Sequence, residues 1–142
     1  MDVVFLDANV LFSAAYRSEA GLHRLWDLKG VELVSSAYAV EEAARNLPSS
    51  EKHRRLDRFL RKTRIVSEPS ATDYERGDVA KSGLPPKDIP ILAAAIGARA
   101  THLLTGDVTH FGHLFGKKVG NVTILAPNQY LRGALGKGQG PG

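Results

Sequence analysis

A chain of 142 residues, 43% hydrophobic and 24% charged, can bury one proper core, which sets a single domain over residues 1–135 as the expectation. No apolar run approaches the roughly 20 residues needed to cross a bilayer, and the first residues lack a basic leader with a cleavable apolar segment, so a cytoplasmic protein without a membrane partner is expected. The absence of cysteine excludes disulfides, thiolate-bound zinc, iron–sulfur clusters and thiol nucleophiles, leaving oxygen and imidazole to hold any metal. Nineteen Lys and Arg against fifteen Asp and Glu give a net charge of +4 and favour polyanionic partners.

In chain order, Val3 to Leu6 is a short β-branched and apolar run that reads as a strand ending in Asp7. Asn9 then stands where it can cap a helix carrying Val10, Leu11, Ala14 and Ala15. Glu19 to Lys29 reads as a second helix burying Leu22, Leu25, Trp26 and Leu28, with Gly30 as its stop. Val31 to Val34 is a strand, Ala37 to Leu47 a helix ended by Pro48, and Glu51 to Lys62 a basic helix. Along that basic helix Leu56, Phe59 and Leu60 form the apolar stripe, while Arg54, Arg58 and Lys62 recur at i, i+4 on another face. This is either a solvated surface or a contact to a nucleic-acid backbone.

Arg64 to Val66 is the third strand, and Thr72 to Lys81 reads as one helix stopped by Gly83. The stiff loop Leu84-Pro85-Pro86-Lys87 delivers Asp88 to the N-cap of an Ala-rich helix, where Pro90 is tolerated in the first turn. His102 to Leu104 is the fourth strand, followed by Thr105-Gly106-Asp107 and a short helical turn around His110 to Phe115. Val122 to Leu125 is the fifth strand, and Asn128 to Leu135 the last helix before a Gly-rich tail, 136–142, that has little to bury and is expected to be loose. Strand and helix alternate throughout, and the strands are apolar enough to be covered on both faces, which predicts an α/β fold with a parallel sheet between helical layers.

Sites in such sheets form at the carboxyl ends of the strands. Asp7 and Asp107 lie just past two of those ends, Glu42 is about a turn and a half into the helix after the second strand, and Asp88 begins the helix leading to the fourth. Each acid alone reads equally well as a cap, a turn residue or an exposed helix position. Four on one edge are different, because like charges near 4 Å repel by about 4 kcal/mol per pair at an effective dielectric of roughly 20 unless a cation neutralises them. Oxygen ligands without thiolate select hard ions, so Mg²⁺ or Mn²⁺ is the expected cofactor, suited to phosphodiester cleavage. Thr105 and Asn9 are placed to position a water or a ligand carboxylate. His110 and His113 have a spacing that suits a metal, yet without a third ligand they read as surface residues, with His110 as a secondary contact to phosphate or cation.

Four stretches taken together, Val4-Phe5-Leu6-Asp7-Ala8-Asn9-Val10-Leu11, Ser35 to Leu47 with its Val40-Glu41-Glu42, Lys87-Asp88-Ile89-Pro90-Ile91-Leu92 with three alanines following, and Leu103-Leu104-Thr105-Gly106-Asp107, resemble the PIN-domain nucleases over nearly the whole chain. The resemblance implies a three-layer α/β/α fold with a five-stranded parallel sheet in the order 3-2-1-4-5, and Mg²⁺- or Mn²⁺-dependent cleavage of RNA. Carried over by position, Asp7, Glu42, Asp88 and Asp107 match the family's acidic quartet; Glu42 is preferred to Glu41 because it stands five residues before Leu47. Many such domains are VapC-type toxins restrained by a small antitoxin. Where some members carry a further acid after the fourth, this chain has Thr109 and His110. Phe12, Tyr16 and Trp26 offer either core packing or a surface for an antitoxin or a homodimer.

Three other readings compete. A haloacid-dehalogenase-like phosphatase resembles Asp-x-Asp at the first strand, but Asn9 holds the second place; a receiver domain wants an aspartate after the third strand, where Ser67 and Glu68 stand. A PIN-like scaffold that binds RNA or protein without cutting keeps the fold and lacks only the chemistry.

Overall fold

In a computed structural model the chain is described over residues 1–139, with side chains through residue 135. The elements are β1 (Asp2–Leu6), α1 (Ala8–Tyr16), a 3₁₀ segment (Gly21–Asp27), β2 (Val31–Ser36), α2 (Ala37–Arg45), α3 (Ser50–Leu60) and β3 (Arg64–Val66) in the first half. The second half holds α4 (Ala71–Glu75), α5 (Gly77–Ala80), a 3₁₀ turn (Pro86–Asp88), α6 (Ile89–Gly97), β4 (His102–Leu104) and α7 (Val108–Phe111). A 3₁₀ turn (Gly112–Leu114), β5 (Lys118–Val119), β6 (Val122–Leu125) and α8 (Pro127–Gln139) complete it.

The strands form one sheet in the order β3-β2-β1-β4-β6-β5. β1 is central because Val4, Phe5 and Leu6 are all fully buried, so both its faces need covering. It pairs in parallel with β2 on one side and β4 on the other, and the ladder continues one step further through the Asp7 amide to the Leu104 carbonyl at 3.0 Å. That bond holds the ends of β1 and β4 together. The five parallel strands stand in the expected order, Val122–Leu125 taking the fifth place. The count of five is corrected to six by β5, which pairs antiparallel with β6 at the edge. Its cause is a two-residue turn, Gly120-Asn121, in which both residues have positive φ (54° and 68°), the geometry that matches the twist of a hairpin.

Several boundaries also move. The helix expected from Glu19 to Lys29 is a 3₁₀ segment in which only Leu25 is buried. The helix expected from Thr72 to Lys81 breaks at Arg76, whose ψ of 135° is extended, into a piece started by the Ser70–Asp73 capping box and a second one beginning at Gly77. Asp7 rather than Asn9 caps α1, and Asp88 makes no cap bond to α6. α8 runs to Gln139, past Leu135; residues 140–142 of the expected tail lie outside the described residues.

Ile91 to Ile96 of α6 are buried without interruption, so its small alanines allow the sheet to approach on one side and α2, α4 and α5 on others. Trp26 is committed to packing: its ring lies 4.4 Å from that of Phe59, and Nε1 donates to the Phe59 carbonyl and the Thr63 hydroxyl. Phe12 is partly buried against the core, and Tyr16 remains 44% exposed with the Lys52 ammonium over its ring. No helix among the described residues is long and apolar enough to cross a membrane.

Candidate metal centre and active site

Asp7 leaves β1 as the N-cap of α1, its Oδ1 accepting from the Ala8 amide at 2.7 Å. Its Oδ2 accepts from the Thr105 hydroxyl at 2.8 Å and from Asn9 Nδ2 at 3.2 Å. Thr105, fully buried just past β4, also accepts from Asn9 Nδ2 and from the Asp107 amide, while Asn9 Oδ1 accepts from the Gly106 amide at 2.8 Å. The Asn9 and Thr105 side chains therefore lace the turn after β1 to the turn after β4 and fix the carboxylate between them. Burial pushes the Asp7 carboxyl up from 3.8 to about 6; the bonds from Thr105 and Ala8 pull it down, and the charges of Asp88 and Glu42 push it further up.

Ser36 caps α2, and Glu42 stands on the half-buried side of that helix, whereas Glu41 is exposed and pairs with Arg45. Asp88 comes off the 3₁₀ turn at the start of α6, buried. Its carboxyl is raised by burial and by the charge of Asp107, against the cationic pull of His110 and Lys87. Asp107 caps α7 by accepting from the His110 amide, and its Oδ2 lies 2.8 Å from His110 Nδ1. All four acids line one cleft of about 280 Å³, with Asn9, Phe12, Asn46 and Lys87 among its other walls.

Two of these acids, Asp88 and Asp107, also meet His110 beside the cleft, one ligand atom from each of the three lying within 4.8 Å of the others. Asp7 and Glu42 line the cleft outside this trio. Asp88 Oδ2 is buried and has no hydrogen-bond partner, although His110 Nδ1 is 3.0 Å away, because the ring nitrogen is bonded to Asp107 instead. An orphaned buried carboxylate oxygen beside three other acids fits a cation, and a donor set of oxygens with one imidazole suits a hard or borderline dication.

Residues 3–109 match the family model described as PIN domain. The chain belongs to the PIN domain family. Two solved structures share the fold of this PIN domain. VapBC2 from Rickettsia felis, bound to a DNA fragment from its promoter, has a TM-score of 0.66 at 20% identity, over 87% of this chain and 98% of that one. VapBC-1 from nontypeable Haemophilus influenzae has a TM-score of 0.58 at 16% identity, over 89% and 98%. No curated protein matches the chain.

Two histidines with the same standing in the sequence are separated in this PIN domain. His113 bonds the Ser82 carbonyl at 2.8 Å, a structural tie, while His110 faces the acids. The signal for His110 is its position three residues after Asp107, which brings both to one side of the α7 turn. Lys87, exposed at the cleft wall and adjacent to Asp88, was visible only as part of a motif; the Tyr38 hydroxyl donates to its carbonyl at 3.0 Å. Arg54, Arg58 and Lys62 are all exposed on α3 or just past its end. Arg58 and Lys62, but not Arg54, line a second cleft of about 540 Å³ together with Arg55 and Arg61, and that cleft shares no residue with the acidic one.

Proposed function

We propose that this PIN domain is a metal-dependent endoribonuclease that hydrolyses RNA phosphodiesters with Mg²⁺ or Mn²⁺, and that it acts as the toxin of a toxin–antitoxin pair. The observation that carries the catalytic reading is the unpartnered, buried Asp88 Oδ2 in a cleft lined by Asp7, Glu42 and Asp107. Such an arrangement is costly for a scaffold that only binds, and it repels a phosphate until a cation is present.

Asp7, Glu42, Asp88 and Asp107 are the residues that would hold the ion. When bound, it neutralises the scissile phosphate, acidifies a water and stabilises the leaving oxygen. The chain's own contribution is positional. Thr105 and Asn9 hold Asp7 with two side-chain hydrogen bonds, so the carboxylate keeps its orientation as substrate charge enters. Lys87 lines the same cleft, and its ammonium would be available to a non-bridging phosphate oxygen. Arg54, Arg58 and Lys62 would hold the RNA backbone at a distance from the chemistry, adding affinity without sequence preference.

The toxin reading is supported by the two VapBC structures that share the fold. Incubation of a mixed RNA pool with Mn²⁺, Mg²⁺ or chelator, for the parent and for Asp7→Asn and Asp107→Asn, tests the chemistry. Cleavage that survives either substitution or the chelator refutes it. Rescue of growth arrest by co-expression of the neighbouring reading frame tests the pairing.

A further inference from the structure

The ring of His110 meets two carboxylates at once. Its Nδ1 lies 2.8 Å from Asp107 Oδ2 and 3.0 Å from Asp88 Oδ2. A single ring N–H can serve only one of them, and it serves Asp107. Asp88, only 9% exposed, is left with Oδ2 buried and unpartnered on the same side. A hydrogen-bonded positioning histidine accounts for the first contact and leaves the second unexplained. A shared ligand accounts for both, since adjacent donors at about 2.1 Å from an octahedral dication stand roughly 3.0 Å apart.

We propose that His110 is a direct metal ligand through Nδ1, so that Asp88, Asp107 and His110 form a set of two carboxylates and one imidazole that favours Mn²⁺ over Mg²⁺. The proposal rests on the cation-binding part of the nuclease reading and goes beyond it by assigning a nitrogen donor and an ion preference. Mg²⁺ is hard and gains little from an imidazole, whereas a first-row transition ion is borderline and gains more. With an ion bound, Nδ1 would give up its N–H bond to Asp107 and the ring would carry its proton on Nε2, on a side chain that is 30% exposed. The short α7 turn, held by the Asp107 cap, keeps the imidazole within reach of both acids.

Pulsed electron paramagnetic resonance of the full chain with Mn²⁺ alone reads the donor directly. The expected result is a ¹⁴N modulation in the parent protein that disappears in His110→Ala. Calorimetric titration gives the preference: His110→Ala should weaken Mn²⁺ by about tenfold or more and Mg²⁺ by less than about threefold, while His110→Asp keeps Mg²⁺ binding and removes the bias. Mn²⁺ that binds the parent without nitrogen coupling, or loses no more affinity than Mg²⁺ on substitution, overturns the assignment and leaves the nuclease reading intact. Failure of the parent to bind either ion removes both.

Discussion

Replacing Asp7 by Asn should make the metal-free protein more stable at neutral pH, an unusual direction for a buried residue with three hydrogen bonds. Its carboxyl, 4% exposed, titrates near 6 in the folded chain against 3.8 ordinarily, a difference that corresponds to roughly 3 kcal/mol. The folded state thus holds the proton more tightly than the unfolded one. Stability is greatest below about pH 3.8, declines as pH rises to about 6, and is flat beyond, where the parent carries the full cost of a buried negative charge. Asn retains an acceptor for the Ala8 amide but no longer offers both Thr105 and Asn9 a carboxylate oxygen, a loss of about 1–2 kcal/mol. The net gain above pH 7 is therefore about 1–2 kcal/mol, or several degrees in Tm for a domain of this size. Urea unfolding in EDTA, followed by the fluorescence of the single tryptophan, Trp26, measures it at pH 4 and pH 7.5. The difference between variant and parent should swing by roughly 2–3 kcal/mol in favour of the variant between those pH values. A difference that does not change with pH, or a variant less stable than the parent at pH 7.5, refutes the electrostatic account of the cleft.

Mn²⁺ at a hundred times its Kd should raise the stability of the parent by about 2.7 kcal/mol and leave Asp88→Asn close to its metal-free value, as differential scanning calorimetry would show. Combined substitution of Arg54, Arg58 and Lys62 by Ala should weaken RNA binding and flatten the slope of log Kd against log salt, by nearly one for each phosphate that is no longer neutralised, without changing the cleavage pattern; an unaltered slope assigns these side chains to solvent. Phe111→Ala removes a fully buried ring directly after His110 and should cost about 3–5 kcal/mol in denaturant unfolding. Asn121→Val forces a β-branched residue to a φ of 68° and should lose about 1–2 kcal/mol, with protection from amide exchange falling first in β5 and β6.

The parallel core of the sheet was legible because its strands are buried runs separated by helical periods, and such patterns survive tertiary context. β5 was missed although Val119-Gly120-Asn121-Val122 carries a two-residue turn signal, since the two flanking strands are too short to show alternation. The break at Arg76 is invisible to periodicity, for nothing in the side-chain pattern of Thr72 to Lys81 marks a single extended residue. In the cleft, the convergence of four acids could be argued from strand ends, and Glu42 was preferred to Glu41 by its distance from Leu47; in the fold Glu42 is on the side of α2 that meets the wall, while Glu41 pairs with Arg45. The divergence of His110 and His113 was not readable, because it depends on a 3₁₀ turn that sends the second ring to the Ser82 carbonyl. Whether Arg54 belongs with Arg58 and Lys62 is likewise a matter of where the neighbouring 3₁₀ segment lies, which i, i+4 spacing does not encode.

The hydroxyl of Thr105 reaches back across 98 positions to the carboxylate of Asp7. During synthesis, then, the first half of the polypeptide emerges with only the local bonds from Ala8 and Asn9 on its aspartate, and the clamp closes only after β4 and the turn behind it have left the ribosome. On the proposed function, a destructive catalyst is thereby inert for most of its own translation, and any truncated product ending before that threonine is harmless to the messages around it.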